Sequence, residues 1–289
     1  ISLPMANLRE IKRHIQSVQA IAKVTNALEV ISAAKNLRLQ SRVHNSRLFA
    51  IKSWEVLTHL ASAAEPELET NPMFCGYRQV ERIGMLLITS NKGMAGPYNY
   101  NMLERANAYI EAQRAPVELI TIGREGREAM LRRGREIHAD FILPEDAIEL
   151  SDMNPVAQVV LDGFSQRHFD EMVLAYTQFQ PGARLVPTVR PLLPFCPEAP
   201  SERREYVYEP EPAELLRSLL PRVIRFQIFQ AYLESLMAEN TSRQVAMRAA
   251  TQNAEDLVQD LTMTYNKARQ QAITAELADL LGGRMHVTG

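Results

Sequence analysis

Apolar side chains recur every three or four residues over two long stretches of the chain, one near each end. The stretches run from Met5 to Ala64 and from Arg222 to Leu281, and neither contains a glycine or a proline. This spacing is typical of one buried face of an α-helix. Each stretch is roughly 60 residues long and predicts a helix of roughly 90 Å. Two such helices, far apart in sequence, are most simply packed against each other as an antiparallel pair.

The first helix is predicted over residues 5–65 and ends where proline follows Glu65. Because Met5 opens the helical pattern, we expect Ile1–Pro4 to be either an expression remnant or a start-site artefact. The apolar positions keep no strict heptad, so a loosely wound coiled coil is expected rather than a regular leucine zipper. The positions expected on the buried face are Leu8, Ile11, Ile15, Val18, Ile21, Val24, Leu28 and Ile31, continued by Leu37, Val43, Leu48, Ile51, Val56, Leu57 and Leu60.

The second helix is predicted over residues 210–283. It is expected to begin near Pro212, to bend or restart around Pro221, and to end at Gly282-Gly283. Several of its expected inner positions are alanines, which let two helix axes approach closely. These inner positions are Ala246, Ala250, Ala254, Leu257, Leu261, Tyr265, Ala268 and Ala272.

Between the two helices, over residues 80–205, short apolar runs alternate with stretches of helical composition. Strands are predicted at Ile83–Thr89, Val117–Ile122, Glu171–Gln178 and Leu185–Val189, and helices at Asn99–Arg114, Arg124–Arg133 and Asn154–Phe169. Such alternation indicates a small, mainly parallel α/β domain. The predicted fold is therefore an antiparallel coiled coil of the terminal helices with an inserted α/β (Rossmann-like) domain.

Charge is unevenly distributed along the 289 residues, although the net charge is only −2. Residues 1–64 carry nine lysines and arginines against three acidic residues, or +6, while residues 65–205 carry fifteen against twenty-one, or −6. A basic helix can bind nucleic acid, but here the basic residues alternate with apolar ones and few aromatics accompany them. A basic helix without a nucleic-acid role is therefore favoured, and acidic protein partners would suit it equally well.

Composition also restricts the compartment and excludes several kinds of site. Cys75 and Cys196 fit neither a metal-binding spacing nor a disulfide framework, which favours a reducing compartment. We expect neither a transmembrane segment nor a signal peptide. The six histidines are scattered, so no metal site is predicted, and neither a nucleophile elbow nor a cofactor motif is present.

One glycine-containing loop, Thr89–Gly96, follows a predicted strand and precedes a predicted helix, where phosphate-binding loops occur in α/β proteins. It matches neither the dinucleotide-binding pattern nor the P-loop pattern, because Lys92 precedes Gly93 and no Gly-Lys pair is followed by Ser or Thr. A tight strand-to-helix turn that needs its two glycines is the favoured interpretation. We therefore predict no catalytic and no cofactor-binding residues.

Polar side chains are unusually dense late in the second helix, at Asn266, Lys267, Arg269, Gln270 and Thr274. They form either a solvated face or a face that binds another protein, and the pattern alone does not decide between the two.

Taken together, several segments resemble the gamma subunits of the rotary, proton-driven ATP synthase. The resemblance runs from Met5 to about Gly283, and its most specific part is Tyr265–Thr274. Two departures are visible. The family's glycine loop usually reads Asp-Arg-Gly-Leu-Cys-Gly-Gly, and the family usually has Lys and Met at the positions of Asn26 and Leu28. A cysteine-bearing insert of the chloroplast kind is missing, which favours a bacterial type. The other segments that carry the resemblance are Leu8–Ile15, Lys23–Leu28, Ile88–Gly96, Tyr206–Pro212 and Val245–Thr251.

The resemblance implies a rotor shaft that couples proton flow through a membrane ring of c subunits to ATP synthesis in a ring of α and β subunits. The epsilon subunit is a further implied partner, and the implied location is the cytoplasmic face of the cell membrane. The residues expected to contact a β subunit are Arg243, Arg269, Gln270 and Thr274; those in an apolar collar are Leu277, Leu280 and Leu281; and those at the rotor ring or epsilon are Tyr206, Tyr208 and Glu209. Two alternatives remain: a coiled-coil scaffold or nucleic-acid-binding protein, and an α/β nucleotide enzyme with helical arms.

Overall fold

A computed structural model describes residues 3–64, 71–180, 182, 184–195 and 208–285 of the chain. The helices are α1 (Leu3–Ala63), α2 (Pro72–Cys75), α3 (Tyr98–Ala112), α4 (Arg124–Arg132), α5 (Asn154–Ser165) and α6 (Pro212–Met285). The strands are β1 (Ile83–Ile88), β2 (Val117–Ile122), β3 (Ile137–Phe141), β4 (Glu171–Gln180) and β5 (Arg184–Leu193), and a 3-10 helix spans Leu150–Met153. The chain divides into two compact units, residues 1–32 with 243–289 and residues 33–242.

The first unit contains an antiparallel pair formed by the beginning of α1 and the later part of α6. Thr25 and Thr251 share a hydrogen bond of 2.7 Å between their hydroxyl oxygens, and Arg248 Nε donates to Glu29 Oε1 at 2.8 Å. Partner numbers fall along α6 as they rise along α1, which defines the antiparallel direction. We call this part of the molecule the helix pair.

The second unit is built around a five-stranded sheet in the order β3-β2-β1-β4-β5. Its first four strands are parallel, and β5 returns antiparallel to β4. The mainly parallel α/β domain predicted from the sequence is thereby confirmed. All six residues of β1 are buried because helices cover both faces of the sheet.

Each face of the sheet has its own hydrophobic cluster. On one face, Met85 and Leu87 of β1 pack with Met102 of α3 and Met130 of α4. On the other face, side chains of β1, β2 and β4 pack with α5 and with the parts of α1 and α6 that belong to this unit. The second unit is therefore a three-layer arrangement in which the two longest helices form part of one outer layer.

The last helix begins at Pro212 as predicted, and its end differs from the prediction. Helix α6 continues through Pro221 without restarting, and it runs past Gly282-Gly283 to Met285. Proline removes one backbone hydrogen bond and crowds the preceding turn. Burial of Leu216, Leu220 and Ile224, each at most 1% exposed, holds the helix together on both sides of Pro221.

Candidate functional site

The loop that follows β1 uses its polar groups within the fold. Thr89 Oγ1 donates to the carbonyl of Ile122 at 3.2 Å and accepts from the amide of Gly126 at 2.9 Å. Ser90 Oγ donates to the carbonyl of Lys92, and Asn99 binds both the amide and the hydroxyl of Ser90. These groups are thus engaged with the protein rather than directed at a ligand.

The same loop packs against the last helix. Ala95 and Tyr98 form a small buried cluster with Ala238, and Ser242 Oγ donates to the carbonyl of Ala95 at 2.6 Å. Pro97, which has no amide hydrogen, occupies the N-cap position of α3. This geometry supports a strand-to-helix turn that attaches the sheet to α6, and it does not resemble a phosphate cradle.

Only one of the two glycines in this loop is required by its backbone. Gly96 has φ 55°, in the left-handed region, whereas Gly93 has no positive φ, and a Cβ on it would lie 3.7 Å from Glu125 Oε1. Met94 occupies the left-handed region instead, with φ 61°. The expectation that the turn needs both glycines is therefore wrong for Gly93.

A polar network inside the second unit joins α1, α6 and the hairpin of β4 and β5. Arg47 donates to Glu234 Oε1 from both Nε (3.0 Å) and Nη2 (2.8 Å), and it also donates to the carbonyl of Phe179. Gln230 donates to the same carboxylate oxygen at 2.7 Å. Arg190 donates to Gln227, which in turn donates to the carbonyl of Ala50. Both long helices are thereby fastened to one edge of the sheet.

Two tyrosines in this layer are held in their neutral form. Burial raises the pKa of Tyr232, and the nearby carboxylates of Glu239, Glu145 and Asp152 raise it further. Its hydroxyl donates to the carbonyl of Pro144 at 3.1 Å. Burial also raises the pKa of Tyr176, which lies beside Arg190. Tyr232 thus acts as a structural hydrogen-bond donor, and the ring of Tyr176 packs against the Arg190 guanidinium.

The helix pair of the first unit buries few α1 side chains completely and exposes several large ones. Val18, Thr25 and Ser32 are at most 9% exposed, and their spacing places them on one face of α1. On the facing part of α6, Met247 and Ala254 are buried. The most deeply buried α1 side chains of this stretch are therefore small or medium-sized, while Leu8, Ile11, Ile15 and Leu28 are half-buried.

Some bulky aliphatic residues of the same stretch face outward, which corrects the predicted inner face at three of its positions. Ile21 and Ile31 are each 52% exposed and Val24 is 59% exposed, although all three were expected to be buried. Val30 adds a fourth outward aliphatic side chain, at 61%. The four positions spread over about half of the helix circumference, and several exposed large apolar groups on one short stretch are typical of a surface that another protein covers. We call these four residues the outer apolar face.

The polar residues predicted to bind a partner separate into two groups. Arg269, Gln270 and Thr274 are exposed on α6, and Thr274 Oγ1 donates to the backbone carbonyl of Gln270 at 2.9 Å. Arg243 is only 8% exposed, so most of its side chain is covered by the chain itself. The structure brings Gln270 and Thr274 onto one helical face and does not group Arg243 with them.

The other predicted contact residues differ in how exposed they are, and some lie outside the described residues. Leu277 lies on α6 and is 55% exposed, while Leu280 and Leu281 lie on the same helix with side chains outside the described ones. Tyr206 lies outside the described residues. Tyr208 is half-buried against the larger hydrophobic cluster, and Glu209 is exposed. Part of the Tyr208 ring is thus used within the fold.

Among the described residues, one group of side chains has the composition of a metal site. Glu118, His138 and His168 each direct a potential ligand atom into one region, with all three atoms within 4.8 Å of one another. Sequence reasoning missed this group because the residues lie on β2, on β3 and before β4, with no recognisable spacing. None of the helices in the described part of the chain is long and apolar enough to cross a membrane.

Comparisons with known proteins agree with one another. The family model described as ATP synthase matches residues 7–285. The chain is 40% identical over 281 residues to the "ATP synthase gamma chain" of Dehalococcoides mccartyi (strain CBDB1), covering 96% of this chain and 98% of that one. It is 37% identical to the protein of the same name from Chloroflexus aurantiacus (strain J-10-fl), covering 98% of this chain and all of that one.

Solved structures show the same fold at lower sequence identity. A chain from the Euglena gracilis mitochondrial ATP synthase (OSCP/F1/c-ring, rotational state 3) superposes with a TM-score of 0.69 and 15% identity, covering 98% of this chain and 95% of that one. A chain from the Tetrahymena thermophila mitochondrial ATP synthase (central stalk/c-ring) has a TM-score of 0.59 and 21% identity, covering 78% and 99%.

Proposed function

The chain belongs to the ATP synthase gamma-chain family, and we propose that it is the central rotating shaft of a bacterial ATP synthase. In this role it couples proton flow through the membrane rotor ring of c subunits to ATP synthesis in the ring of α and β subunits. The proposal rests on the family assignment and on one structural observation, the outer apolar face of the helix pair.

That face argues for an enclosing partner in physical terms. Each fully exposed aliphatic side chain forgoes roughly 1.5–3 kcal/mol that burial would provide. A helix with no partner beyond α6 would place its large residues inward and its small ones outward. Here Ile21, Val24 and Ile31 point outward while Thr25 and Ser32 lie inside. The arrangement is favourable for a helix pair that turns within an apolar sleeve of other subunits.

The two units take different parts of this function. Residues 3–32 with 243–285 supply the surface that contacts the α and β subunits. Residues 33–242 supply the surface that contacts the rotor ring and the epsilon subunit. Torque has to pass between the sheet and the long helices, and the Arg47–Glu234 network together with the Ser242–Ala95 bond supplies directional contacts that resist sliding.

The chain itself has no catalytic role in this proposal. ATP is made by the α and β subunits and is released when the turning shaft distorts each β subunit in sequence. The protein is placed at the cytoplasmic face of the cell membrane as a peripheral part of the complex. An isolated chain that bound ATP with a dissociation constant below about 10 μM would contradict this assignment.

Specific contacts to a β subunit are assigned to Arg269, Gln270 and Thr274, with Arg243 as a more covered member of the same set. A planar guanidinium can bind a carboxylate through two hydrogen bonds, and such charge-assisted bonds contribute roughly 1.5–3 kcal/mol. Contacts of this kind are directional, so they favour particular angles of the shaft. Leu277, Leu280 and Leu281 are assigned to an apolar collar, and Tyr206, Tyr208 and Glu209 to the rotor ring or epsilon.

The test is proton-driven ATP synthesis in reconstituted complexes carrying Arg269→Ala with Gln270→Ala. Synthesis is expected to fall several-fold, while the purified chain keeps its helical circular dichroism. The matched control is Gln252→Ala with Asn253→Ala, two exposed positions on the same helix outside the assigned contacts. Unchanged synthesis in the first variant would show that these side chains form an ordinary solvated surface, and an equal loss in the control would show that the loss is not specific to the assigned contacts.

A further inference from the structure

The group formed by Glu118, His138 and His168 lies at the edge of the sheet where its parallel strands begin. Glu118 is the second residue of β2, His138 is the second residue of β3, and His168 precedes β4 by three positions. The carboxylate of Glu118 is 17% exposed, and the two imidazoles are 34% and 35% exposed. The beginnings of β2 and β3 and the segment before β4 thus bring two imidazole nitrogens and one carboxylate together at a place that solvent can reach.

From this geometry we propose that Glu118, His138 and His168 form a Zn²⁺-binding site that is separate from the rotor function. Two imidazoles and a carboxylate are a ligand set that zinc accepts, with solvent completing a four-coordinate shell. Ligand atoms about 2.0–2.1 Å from a tetrahedral ion stand roughly 3.3 Å apart. Glu118 Oε2 lies 2.9 Å from His168 Nε2 and 3.7 Å from His138 Nδ1, on either side of that value.

The backbone around His168 is held in place without an ion. The amide of His168 donates to the carbonyl of Gly163 at 2.8 Å, in the turn that ends α5. Asp170 accepts from the amides of Glu81 and Arg82, which ties the segment before β4 to the segment before β1. Only small side-chain movements are therefore needed to bring the three ligand atoms to zinc-binding distance.

An apolar support lies beneath the two histidines. The ring of Phe169 is fully buried and meets both imidazoles edge-on, with centroid distances of 5.2 Å to His138 and 4.6 Å to His168. The imidazoles themselves lie 4.5 Å apart between centroids. This packing limits their rotation and lowers the entropy lost on coordination.

Arg82 contacts two of the three proposed ligands and would compete with a zinc ion for them. Its Nε lies 3.3 Å from Glu118 Oε1, and its Nη1 lies 3.4 Å from His168 Nδ1. A guanidinium can only donate, so this second contact makes Nδ1 an acceptor and leaves Nε2 to donate its proton to Glu118. A zinc ion would replace the Nε2 proton, and the proton would then be on Nδ1, facing Arg82. Zinc binding therefore requires Arg82 to move away, which 45% exposure of its side chain permits.

The first experiment is calorimetric titration of the full chain with Zn²⁺. One ion per chain is expected, and His138→Ala or His168→Ala should each weaken the affinity at least about tenfold, the smallest loss usually seen even for groups outside the coordination shell. His44→Ala is the matched control, since it removes an exposed histidine of α1 and should change nothing. Arg82→Ala should tighten binding several-fold because it removes the competing cation.

Three results would overturn the proposal: no saturable binding, an affinity unaffected by both histidine substitutions, or equal or weaker binding by Arg82→Ala. The visible absorption of Co²⁺ bound to the unaltered chain reports the coordination geometry without any substitution, so misfolding of a variant cannot obscure the answer. Thermal unfolding gives a second readout, because an ion that binds only the folded chain raises the melting temperature. These measurements use the chain alone, so their outcome is independent of ATP synthesis.

Discussion

Replacing Arg47 tests whether the buried network holds the long helices on the sheet. The guanidinium donates twice to Glu234 Oε1 and once to the carbonyl of Phe179. Glu234 is 4% exposed at its side chain, whereas Arg47 is 32% exposed. Arg47→Ala removes the only cation that the structure shows within salt-bridge distance of this carboxylate, among the described residues.

The expected loss follows from the charge that is left behind. Removing one partner of a buried ion pair typically costs 3–5 kcal/mol, because the other charge stays buried and uncompensated. Gln230 still donates to Glu234 Oε1 at 2.7 Å, and water can reach the site through the exposed third of Arg47. We therefore expect the low end of that range, about 3 kcal/mol less free energy of unfolding for Arg47→Ala.

Urea denaturation followed by circular dichroism measures this loss, and a double-mutant cycle identifies its origin. Arg47→Ala combined with Glu234→Gln should be more stable than Arg47→Ala alone, since no buried charge remains. Lys52→Ala is the control, because it breaks an exposed pair with Glu55 on the same helix and should cost less than about 1 kcal/mol. If Arg47→Ala lost no more than this control, or if Glu234→Gln gave no rescue, the reasoning would be refuted.

Three further predictions concern pH, the helix surface and one glycine. Because the pKa of Tyr232 is raised in the folded chain, the unfolded chain loses this proton at a lower pH. The free energy of unfolding should therefore fall as pH rises above about 10, by at most about 1.4 kcal/mol per pH unit. Urea denaturation at alkaline pH should show a shallower fall for Tyr232→Phe. Ile21→Ser with Val24→Ser should change the free energy of unfolding of the isolated chain by no more than about 1 kcal/mol. The same variant should recover less of the α and β subunits in a pull-down. Unfolding of the variant would instead show that these residues belong to the core of the chain. Gly123→Ala should cost at least about 2 kcal/mol in urea denaturation, since φ is 103° and a Cβ would stand 2.3 Å from the carbonyl oxygen of Thr89; a neutral result would contradict this.

Strands could be predicted where burial on both faces leaves an uninterrupted apolar run. Ile83–Ile88 is of this kind, whereas Glu118 and Thr121 interrupt the apolar run of Val117–Ile122; both strands were predicted to within a residue. Ile137–Phe141 was missed because it lies at the edge of the sheet and alternates exposed His138 and Asp140 with partly covered residues. An edge strand of five residues with two charged or ionisable side chains has little apolar signal.

Prolines led to wrong expectations for one strand, β5, and one helix, α6. The last strand was expected to end at Val189, but it runs to Leu193 through Pro191. This is possible because β5 is an edge strand, where a missing amide hydrogen can face away from the ladder. At Pro221 the lost hydrogen bond is outweighed by packing on either side. In both places the element continues past the proline because of tertiary contacts that the local sequence does not show.

The choice of buried face on α1 was the least predictable feature of the candidate site. Apolar periodicity identifies the helix, but Val18, Ile21 and Val24 fit an inner face and an outer face equally well. The three-and-four spacing, with the rule that apolar residues lie inside, selected Ile21 and Val24, and it failed for these two. That rule describes a chain that folds without partners, and a subunit of an assembly divides its apolar residues between its own core and the interfaces with its partners.

The two surfaces of the helix pair suit the two demands of a rotating shaft. Apolar contact is non-directional, so a bulky aliphatic face inside a sleeve of other subunits gives nearly the same energy at many angles. Hydrogen bonds and ion pairs depend on angle, and they are assigned to a few exposed residues near Arg269 and Gln270. If polar contacts covered the whole surface, rotation from one angle to the next would require several hydrogen bonds to break at once. If apolar contacts covered the whole surface, no angle would be favoured. Smooth turning with a few preferred stops therefore requires the outer apolar face to be extensive and the polar contacts to be few. Substituting Ile21 and Val24 should accordingly reduce assembly, whereas substituting Arg269 and Gln270 should reduce the coupling of rotation to synthesis in complexes that still assemble.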